Sequence, residues 1–285
     1  MDDMPERKPR LALMGEFSAG KSTLSNLLLG SSPLPTKVTA TRLPPVWITY
    51  GPEAAVMQRH DGTEIPFDID DLDLVDLEET RLIRLSMESE TLHLCDLIDM
   101  PGISDPNMSS EVWQPVLGEA DHVVWCTHAT QAWRQSEAAT WKEVRDQIGG
   151  DSLLLVTQID KLTNERDRAR VLGRLRKETG DLFAAIYPVS LISALQAGED
   201  AEAWNASGAA AFTEHLVEML LKTAEGTEDT EETAPEVVEP VAAPAEAEGP
   251  RVMPKRVRAR ADGSRSERLP RREGTLLPPV EASQR

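Results

Sequence analysis

The sequence predicts an α/β fold, a mostly parallel sheet with helices on both faces. Along residues 9–224, short and almost wholly apolar runs alternate with longer segments in which apolar residues recur at helical spacing. Near-continuous apolar runs are typical of strands covered on both faces, and the alternation favours parallel strands joined by helices. With 285 residues, the chain is long enough to bury a substantial core.

Each predicted strand is an apolar run bounded by polar or turn residues. The runs are 11–14, 46–50, 92–98, 122–127, 152–157 and 184–189. Asp61 and Gly62 form a hairpin signal between residues 56–60 and 63–67. We therefore expect an antiparallel pair inserted into the otherwise parallel sheet.

The predicted helices are recognised by apolar residues that share one face. Gly30 and Gly180 stand where two of these helices should end. The three clearest faces are Trp141, Val144 and Ile148, then Val171, Leu172 and Leu175, and lastly Phe212, Leu216 and Leu220.

The composition changes at residue 225. Residues 225–249 carry nine acidic side chains and no Lys or Arg, whereas residues 251–272 carry nine Lys or Arg against two acidic residues. Prolines are scattered through both segments and no aromatic residue follows Phe212, so residues 225–285 are predicted to be a disordered tail. The basic segment is expected either to contact an anionic membrane, RNA or the neighbouring acidic segment, or to be solvated without a partner.

The net charge, the length of the apolar runs and the cysteines exclude several classes of protein. The formal net charge of −19 argues against a nucleic-acid partner. No apolar run is long enough to span a membrane, and the first residues lack the pattern of a signal peptide. Cys95 and Cys126 each lie within an apolar run, as expected for buried thiols in a reducing compartment. These observations predict a cytoplasmic protein, with peripheral membrane contact left open by the basic segment.

The most informative motif lies between the first strand and the first helix. Residues 15–22 read Gly-Glu-Phe-Ser-Ala-Gly-Lys-Ser and fit the pattern G-x-x-x-x-G-K-[ST], which indicates the three-layer fold of the P-loop NTPases. Glycines let backbone N–H groups and the helix N-terminus approach phosphate oxygens, and Lys21 adds a positive charge. The Ser22 hydroxyl is a ligand for Mg²⁺ bound between the β- and γ-phosphates. The predicted phosphate-binding residues are Gly15, Ser18, Ala19, Gly20, Lys21, Ser22 and Thr23.

A second motif is Asp99-Met-Pro-Gly102, at the end of an apolar run. A strand that ends in Asp places the carboxylate at the carboxyl edge of the sheet, where ligands of α/β folds bind. We expect Asp99 to hold Mg²⁺ through water and the Gly102 N–H to reach the γ-phosphate.

A third motif is Thr157-Gln158-Ile159-Asp160, which resembles the [NT]-K-x-D motif that reads guanine in GTPases. An Asp there can accept hydrogen bonds from guanine N1 and N2, a pattern that adenine does not offer. Gln158 replaces the usual Lys, and the alternative is a helix-capping Asp without a ligand. Ser190 is expected to be either the last base contact or an ordinary serine at a strand end.

Taken in order, these motifs resemble those of the bacterial type of dynamin-family GTPase, and the resemblance covers residues 9–223. A long insert separates the first two motifs, as in dynamins. Residues 39–45, Thr-Ala-Thr-Arg-Leu-Pro-Pro, resemble the family's switch I with Thr41 as its threonine. The resemblance implies Mg²⁺-dependent GTP hydrolysis, with Lys21, Thr41 and Ser18 catalytic and Ser22, Thr41 and Asp99 around the metal. The alternative for Thr41 is a loop residue without a role.

Three departures from the family pattern alter the expectation. Phe17 stands where animal dynamins have a Gln, and Ile103 follows Gly102, so neither side chain can orient water. The third departure is that dynamins continue into a helical stalk, whereas a disordered tail is expected here. Arg42 is the only arginine evident in the switch motifs.

We therefore expect slow turnover by the isolated chain and acceleration when it pairs through the nucleotide face. The partner would be a second copy or a stalk-bearing dynamin-like chain. Two alternatives remain: an adaptor that binds GTP or ATP with little hydrolysis, and a membrane-associated protein in which the basic segment matters most.

Overall fold

The structure is a computed structural model, and it describes residues 7–32, 43–104, 110–225 and 236–237. The predictions for Thr41 and Arg42 lie outside the described residues. So does most of the predicted tail. The described residues belong to one compact unit.

The described residues form a single mixed sheet. Its strands are β1 (Arg10–Gly15), β2 (Val46–Tyr50), β3 (Ala54–Arg59), β4 (Glu64–Pro66), β5 (Thr80–Met87), β6 (Asp96–Asp99), β7 (His122–His128), β8 (Ser152–Thr157), β9 (Ala185–Val189) and β10 (Glu236–Val237). They follow one another across the sheet in the order β10-β9-β8-β7-β1-β6-β2-β5-β3-β4. Strands β6, β1, β7, β8 and β9 run parallel to one another, β2 joins β6 antiparallel, and β3 lies antiparallel to both β5 and β4.

Helices cover both faces of this sheet. The α-helices of the described residues are α1 (Lys21–Leu29), α2 (Thr91–Leu94), α3 (Ser110–Leu117), α4 (Gln135–Val144), α5 (Glu165–Thr179), α6 (Leu191–Ala197), α7 (Ala201–Ala206) and α8 (Ala209–Ala224). One core contains apolar side chains of α1, α6 and α8, and the other contains those of α3, α4 and α5. The predicted three-layer α/β fold is confirmed.

Alternation along β1 explains why the sheet has a core on each face. Leu11 and Leu13 point into the core on the side of α1, whereas Ala12 and Met14 point into the core on the side of α4. All four side chains are fully buried. The central strand is therefore apolar throughout, as the near-continuous runs predicted.

The predicted inserted hairpin is confirmed, since β3 and β4 pair antiparallel around Asp61 and Gly62. The predicted strand 92–98 is wrong in its first half, where the short helix α2 precedes β6. The hydroxyl of Thr91 donates to the Leu28 carbonyl, and the hydroxyl of Ser89 donates to the Leu29 carbonyl at 3.0 Å. These two hydroxyls thus satisfy carbonyls in the last turn of α1.

Both cysteines are fully buried, and burial raises the pKa of each thiol to about 12. No helix of the described residues is long and apolar enough to cross a bilayer. Beyond Glu225, the structure describes only β10, which pairs in parallel with β9. The prediction of a tail without a helical stalk otherwise falls outside the described residues.

Candidate nucleotide site

The phosphate loop connects β1 to α1 at the carboxyl edge of the sheet. Gly15 ends β1 with φ +138°, and a Cβ there would lie 2.1 Å from the Cys126 carbonyl oxygen of β7. Only glycine fits this close approach. Gly20 precedes α1 in the left-handed region, which leaves the first turn of the helix, with Lys21, Ser22 and Thr23, facing the loop.

Lys21 is directed back into the loop. Its Nζ donates to the carbonyl oxygens of Gly15 at 3.1 Å and Glu16 at 3.0 Å. Burial lowers the pKa of Lys21, and the nearby Asp99 carboxylate opposes that shift. A buried ammonium group held by loop carbonyls is well placed to exchange those contacts for phosphate oxygens.

Asp99 lies one strand away from the loop, because Leu13 of β1 pairs with Asp99 of β6. Burial raises the pKa of Asp99 to about 6, and the positive charge of Lys21 opposes the rise. The following segment continues alongside the loop, since the Ile103 N–H donates to the Gly15 carbonyl at 3.3 Å. The predicted convergence of the first two motifs is therefore present.

Gly102 lies against the tip of the phosphate loop. A Cβ there would lie 3.0 Å from both Cα and N of Phe17. The Phe17 N–H donates to the Ser104 hydroxyl at 3.1 Å. The phosphate loop and the segment after Asp99 are therefore closely packed against each other.

The third motif also contacts the phosphate loop. The Thr157 hydroxyl donates to the Ala19 carbonyl at 2.7 Å, and the Gln158 amide donates to the Ser18 carbonyl at 3.2 Å. Thr157 is fully buried and therefore supports the loop. Asp160 is exposed at the same edge, in the turn that follows β8.

Backbone strain is concentrated around this site. Ser18, Trp133 and Gln158 are the non-glycine residues with positive φ among the described residues, at 60°, 56° and 55°. Each such residue costs about 1 kcal/mol or more and persists where the surrounding contacts enforce it. The three lie in the phosphate loop, the β7–α4 connection and the end of β8, which is typical of a functional edge.

Ser190 has a structural role in this fold. Its side chain accepts from the Ser193 N–H at the start of α6 and bonds the Ser193 hydroxyl at 2.8 Å. The residue is buried. Ser190 therefore caps α6 at the end of β9, a role that neither expectation named, and its contact with the base stays a prediction.

The sequence analysis missed a group of polar residues at the start of α4. Glu16 of the phosphate loop accepts from Arg134 Nη1 at 2.8 Å and from the Ser136 hydroxyl. Glu137 is buried, and burial raises its pKa. It accepts from Trp125 Nε1 at 3.0 Å, the Thr127 hydroxyl at 3.1 Å and the Arg134 N–H at 2.8 Å. An Arg three residues before a Glu is not a common pattern at the start of a helix, so this group could hardly be recognised from the sequence.

A pocket of about 150 Å³ lies between this group and the phosphate loop, with Ser18, His128 and Gln131 in its wall. Phe17 also borders the pocket, and 65% of this residue is exposed. Ile103 packs against the core on the side of α4. The expectation that neither Phe17 nor Ile103 can position water agrees with their apolar side chains.

The side chains beside the loop suit Mg²⁺, a hard cation that prefers oxygen ligands. Ser22 is exposed in the first turn of α1, and the Asp99 carboxyl ends the adjacent strand β6. A partly buried carboxylate with one cationic neighbour is favoured by further positive charge. The third expected ligand, Thr41, lies outside the described residues. No group of three His, Cys, Asp or Glu suited to a metal occurs among those that are described.

Comparison with known proteins supports the assignment of the motifs. A model of the dynamin family matches residues 11–159, just over half of the chain. Dynamin-like protein 2 of Campylobacter jejuni is 25% identical over 166 residues, which cover 56% of this chain and 27% of that protein. Isoniazid-induced protein IniC of Mycobacterium tuberculosis is 29% identical over 217 residues, covering 66% of this chain and 43% of that protein. The chain spans less than half the length of these curated relatives.

Among solved structures, the fold is similar to a chain of an oligomerised bacterial dynamin pair, described as providing a mechanism for the long-range sensing and tethering of membranes. The TM-score is 0.53 at 19% identity, over 77% of this chain and 36% of that one. At this identity the likeness concerns the fold. The family match over more than half of the sequence, on a fold that carries the family's motifs at one sheet edge, shows that this chain belongs to the dynamin family.

Proposed function

We propose that this chain binds GTP together with Mg²⁺ and hydrolyses it, and that its nucleotide state controls its association with a second molecule. The observation that carries the proposal is the convergence of Lys21 and Asp99 at the ends of the adjacent strands β1 and β6, beside a glycine-bounded loop. Lysine, carboxylate and exposed backbone N–H groups at a helix N-terminus are the parts that phosphoryl transfer requires.

Each described residue has a definite task in this scheme. The loop backbone and Lys21 bind the β- and γ-phosphates, while Thr157 and Gln158 hold the loop in shape from β8. Asp160 selects guanine by accepting from its N1 and N2 donors. When bound at Ser22 and Asp99, Mg²⁺ supplies positive charge to the phosphate oxygens. Loss of the γ-phosphate would release the segment after Gly102 and the predicted switch around Thr41.

Base choice tests the binding part of the proposal. Calorimetric titration of GTP, GDP and ATP with Mg²⁺ should show binding of both guanine nucleotides and much weaker binding of ATP. Asp160→Ala should weaken GTP binding by about 2 kcal/mol, roughly thirty-fold, because guanine loses a charged acceptor. Gln158→Lys, the matched change toward the usual motif, should bind GTP at least as tightly as the parent. Equal affinity of the parent for ATP and GTP would contradict the assignment.

Single-turnover hydrolysis separates the proposal from the alternative of an adaptor that binds nucleotide with little hydrolysis. Phe17 and Ile103, which have no polar side chain to orient water, favour that alternative for the isolated chain. Lys21→Ala should abolish hydrolysis and strongly weaken GTP binding. Full turnover by Lys21→Ala would show that the loop is not the catalytic site, and a parent chain that binds GTP without hydrolysing it would be an adaptor.

Membrane contact is a separate element of the proposal. The basic segment 251–272, with nine Lys or Arg, would attract an anionic surface. The solved bacterial dynamin pair, described as sensing and tethering membranes, supports a test of this idea. Co-sedimentation with phosphatidylserine vesicles should fall on replacement of Arg256, Arg258 and Arg260 by Gln. Unchanged co-sedimentation would remove this element.

A further inference from the structure

The phosphate loop contains an acidic residue, Glu16, immediately after Gly15. The side chain of Glu16 is only 13% exposed, so water does little to screen its charge. An unpaired carboxylate in this loop would repel a triphosphate. Its presence therefore requires a compensating contact if the loop is to bind nucleotide.

Both oxygens of the Glu16 carboxylate are directed toward the start of α4. Arg134 Nη1 donates to Oε2 at 2.8 Å, and the Ser136 hydroxyl donates to Oε1. The Arg134 guanidinium also donates to the Gln131 side chain. The negative charge of the loop is thus neutralised on the side of α4.

The position of Arg134 is itself fixed by the buried Glu137. Glu137 accepts from the Arg134 N–H at 2.8 Å and holds Trp125 and Thr127 of β7 through its two oxygens. A continuous set of hydrogen bonds therefore runs from β7 through Glu137 to the Arg134 backbone, and from its guanidinium to Glu16. These hydrogen bonds hold the Arg134 guanidinium in place before the nucleotide binds, so that little side-chain entropy is lost on binding.

We propose that Arg134 is a positioning residue of the nucleotide site: it neutralises Glu16 and turns that carboxylate away from the phosphates, so that triphosphate binding depends on an ion pair between the phosphate loop and α4. The inference rests on the proposed GTP binding and adds a residue that no motif contains. It also means that the connection between β7 and α4 stabilises the phosphate loop through an ion pair. The repulsion between Glu16 and the nucleotide grows with the charge of the phosphates, so the loss of Arg134 weakens binding of GTP more than binding of GDP.

Isothermal titration of GTP and GDP into Arg134→Gln, Glu16→Gln and the double variant tests the inference. Arg134→Gln should lower GTP affinity about tenfold or more, because a partly buried carboxylate is left unpaired, and should lower GDP affinity less. Arg134→Lys should restore part of the loss, since it keeps the charge without the planar fork. The double variant should regain most of the GTP affinity because the loop then carries no negative charge. A purely structural role of Arg134 would not be rescued by removing the charge of Glu16.

Arg170→Gln is the matched control, because Arg170 pairs with Asp167 on the exposed side of α5, and it should bind as the parent does. Arg134→Gln with unchanged affinities would overturn the inference, as would a double variant as weak as Arg134→Gln. If Arg134→Gln fails to fold, Glu16→Gln decides: an unchanged or raised ratio of GTP to GDP affinity supports the inference, and a lowered ratio overturns it. A parent chain that binds no GTP would instead overturn the proposed function itself.

Discussion

Asp99 shows how burial tunes a single residue of the site. Burial raises the pKa of its carboxyl to about 6, and Lys21 opposes the rise. If Mg²⁺-GTP binds the ionised carboxylate, protons compete with the metal ion. We expect affinity for GTP in the presence of Mg²⁺ to fall about tenfold between pH 7 and pH 5, since the ionised fraction falls by about that factor. Calorimetry at several pH values measures this.

Asp99→Asn is needed for comparison, because the nucleotide also titrates. This variant should bind Mg²⁺-GTP weakly at every pH and retain only the pH dependence of the nucleotide. Asp146→Asn changes an exposed carboxyl and should follow the parent. A parent whose affinity depends on pH no more steeply than that of Asp99→Asn would refute the role of this carboxyl.

The same shift affects stability in the absence of ligand. The folded pKa lies above the ordinary value, so the neutral carboxyl is favoured by folding. Its contribution is complete below about pH 4 and is lost as the pH rises through about 6. Asp99→Asn should therefore raise the free energy of unfolding of the nucleotide-free protein at pH 7 by roughly 3 kcal/mol and change it little at pH 4. Urea denaturation at the two pH values checks the sign.

At the scale of elements, Glu137 joins β7 to the start of α4. Its buried carboxylate accepts from two side chains of β7 and from the Arg134 N–H. Glu137→Ala would leave those donors unpaired in the core, and we expect it to lower the free energy of unfolding by about 3 kcal/mol. Glu137→Gln, which keeps the shape and one acceptor, should cost less. Urea denaturation compares the two, and equal stability of Glu137→Ala and the parent would refute this role.

The elements also show what a single sequence could predict. The central strands beside the phosphate loop were predicted because burial on both faces makes their sequences almost wholly apolar. Such runs can be recognised without knowing which strands they pair with. Strand β5 was missed because Arg84 and Ser86 interrupt its apolar residues, whereas the other strands were recognised as near-continuous apolar runs. Its pairing with β2 and β3 is set by other segments of the chain. Helix α2 was read as strand because its capping of α1 is a tertiary contact. Such tertiary contacts can override the intrinsic secondary-structure propensity of a segment.

The candidate site likewise contains residues that local motifs predict and residues that only the fold brings together. Lys21 and Asp99 belong to local motifs, so the sequence was sufficient to predict that they lie near each other. Arg134 and Glu16 are more than a hundred residues apart in the chain and form no motif, and only the placement of α4 beside the loop brings them together. Thr157 was predicted as part of the guanine-reading motif and its contact with the nucleotide stays a prediction, whereas the hydrogen bond from its hydroxyl to Ala19 of the loop was not foreseen.

For the whole molecule, the question is how hydrolysis is accelerated. Phe17 exposes 65% of its surface at the phosphate loop, and Ile103 packs against the core. The chain therefore presents an apolar side chain where a water-orienting group would be useful. In P-loop NTPases a supplied arginine or an ordered switch adds 10³–10⁵-fold to the rate. An exposed aromatic residue on the nucleotide edge suits an anchor for a second molecule.

We therefore expect activity per molecule to rise with protein concentration, as pairing through the nucleotide edge orders the switches and their water. Specific activity over a wide concentration range, with sedimentation in GTP, GDP and a transition-state mimic, measures this. Phe17→Ser should reduce the concentration dependence and leave GTP affinity nearly unchanged. Val217→Ser removes an exposed apolar residue from α8 and should behave as the parent. Activity that is fast and independent of concentration, with only monomer in every nucleotide state, would refute pairing. Activity that stays negligible until a second dynamin-like protein is added would show that the partner is not another copy of this chain.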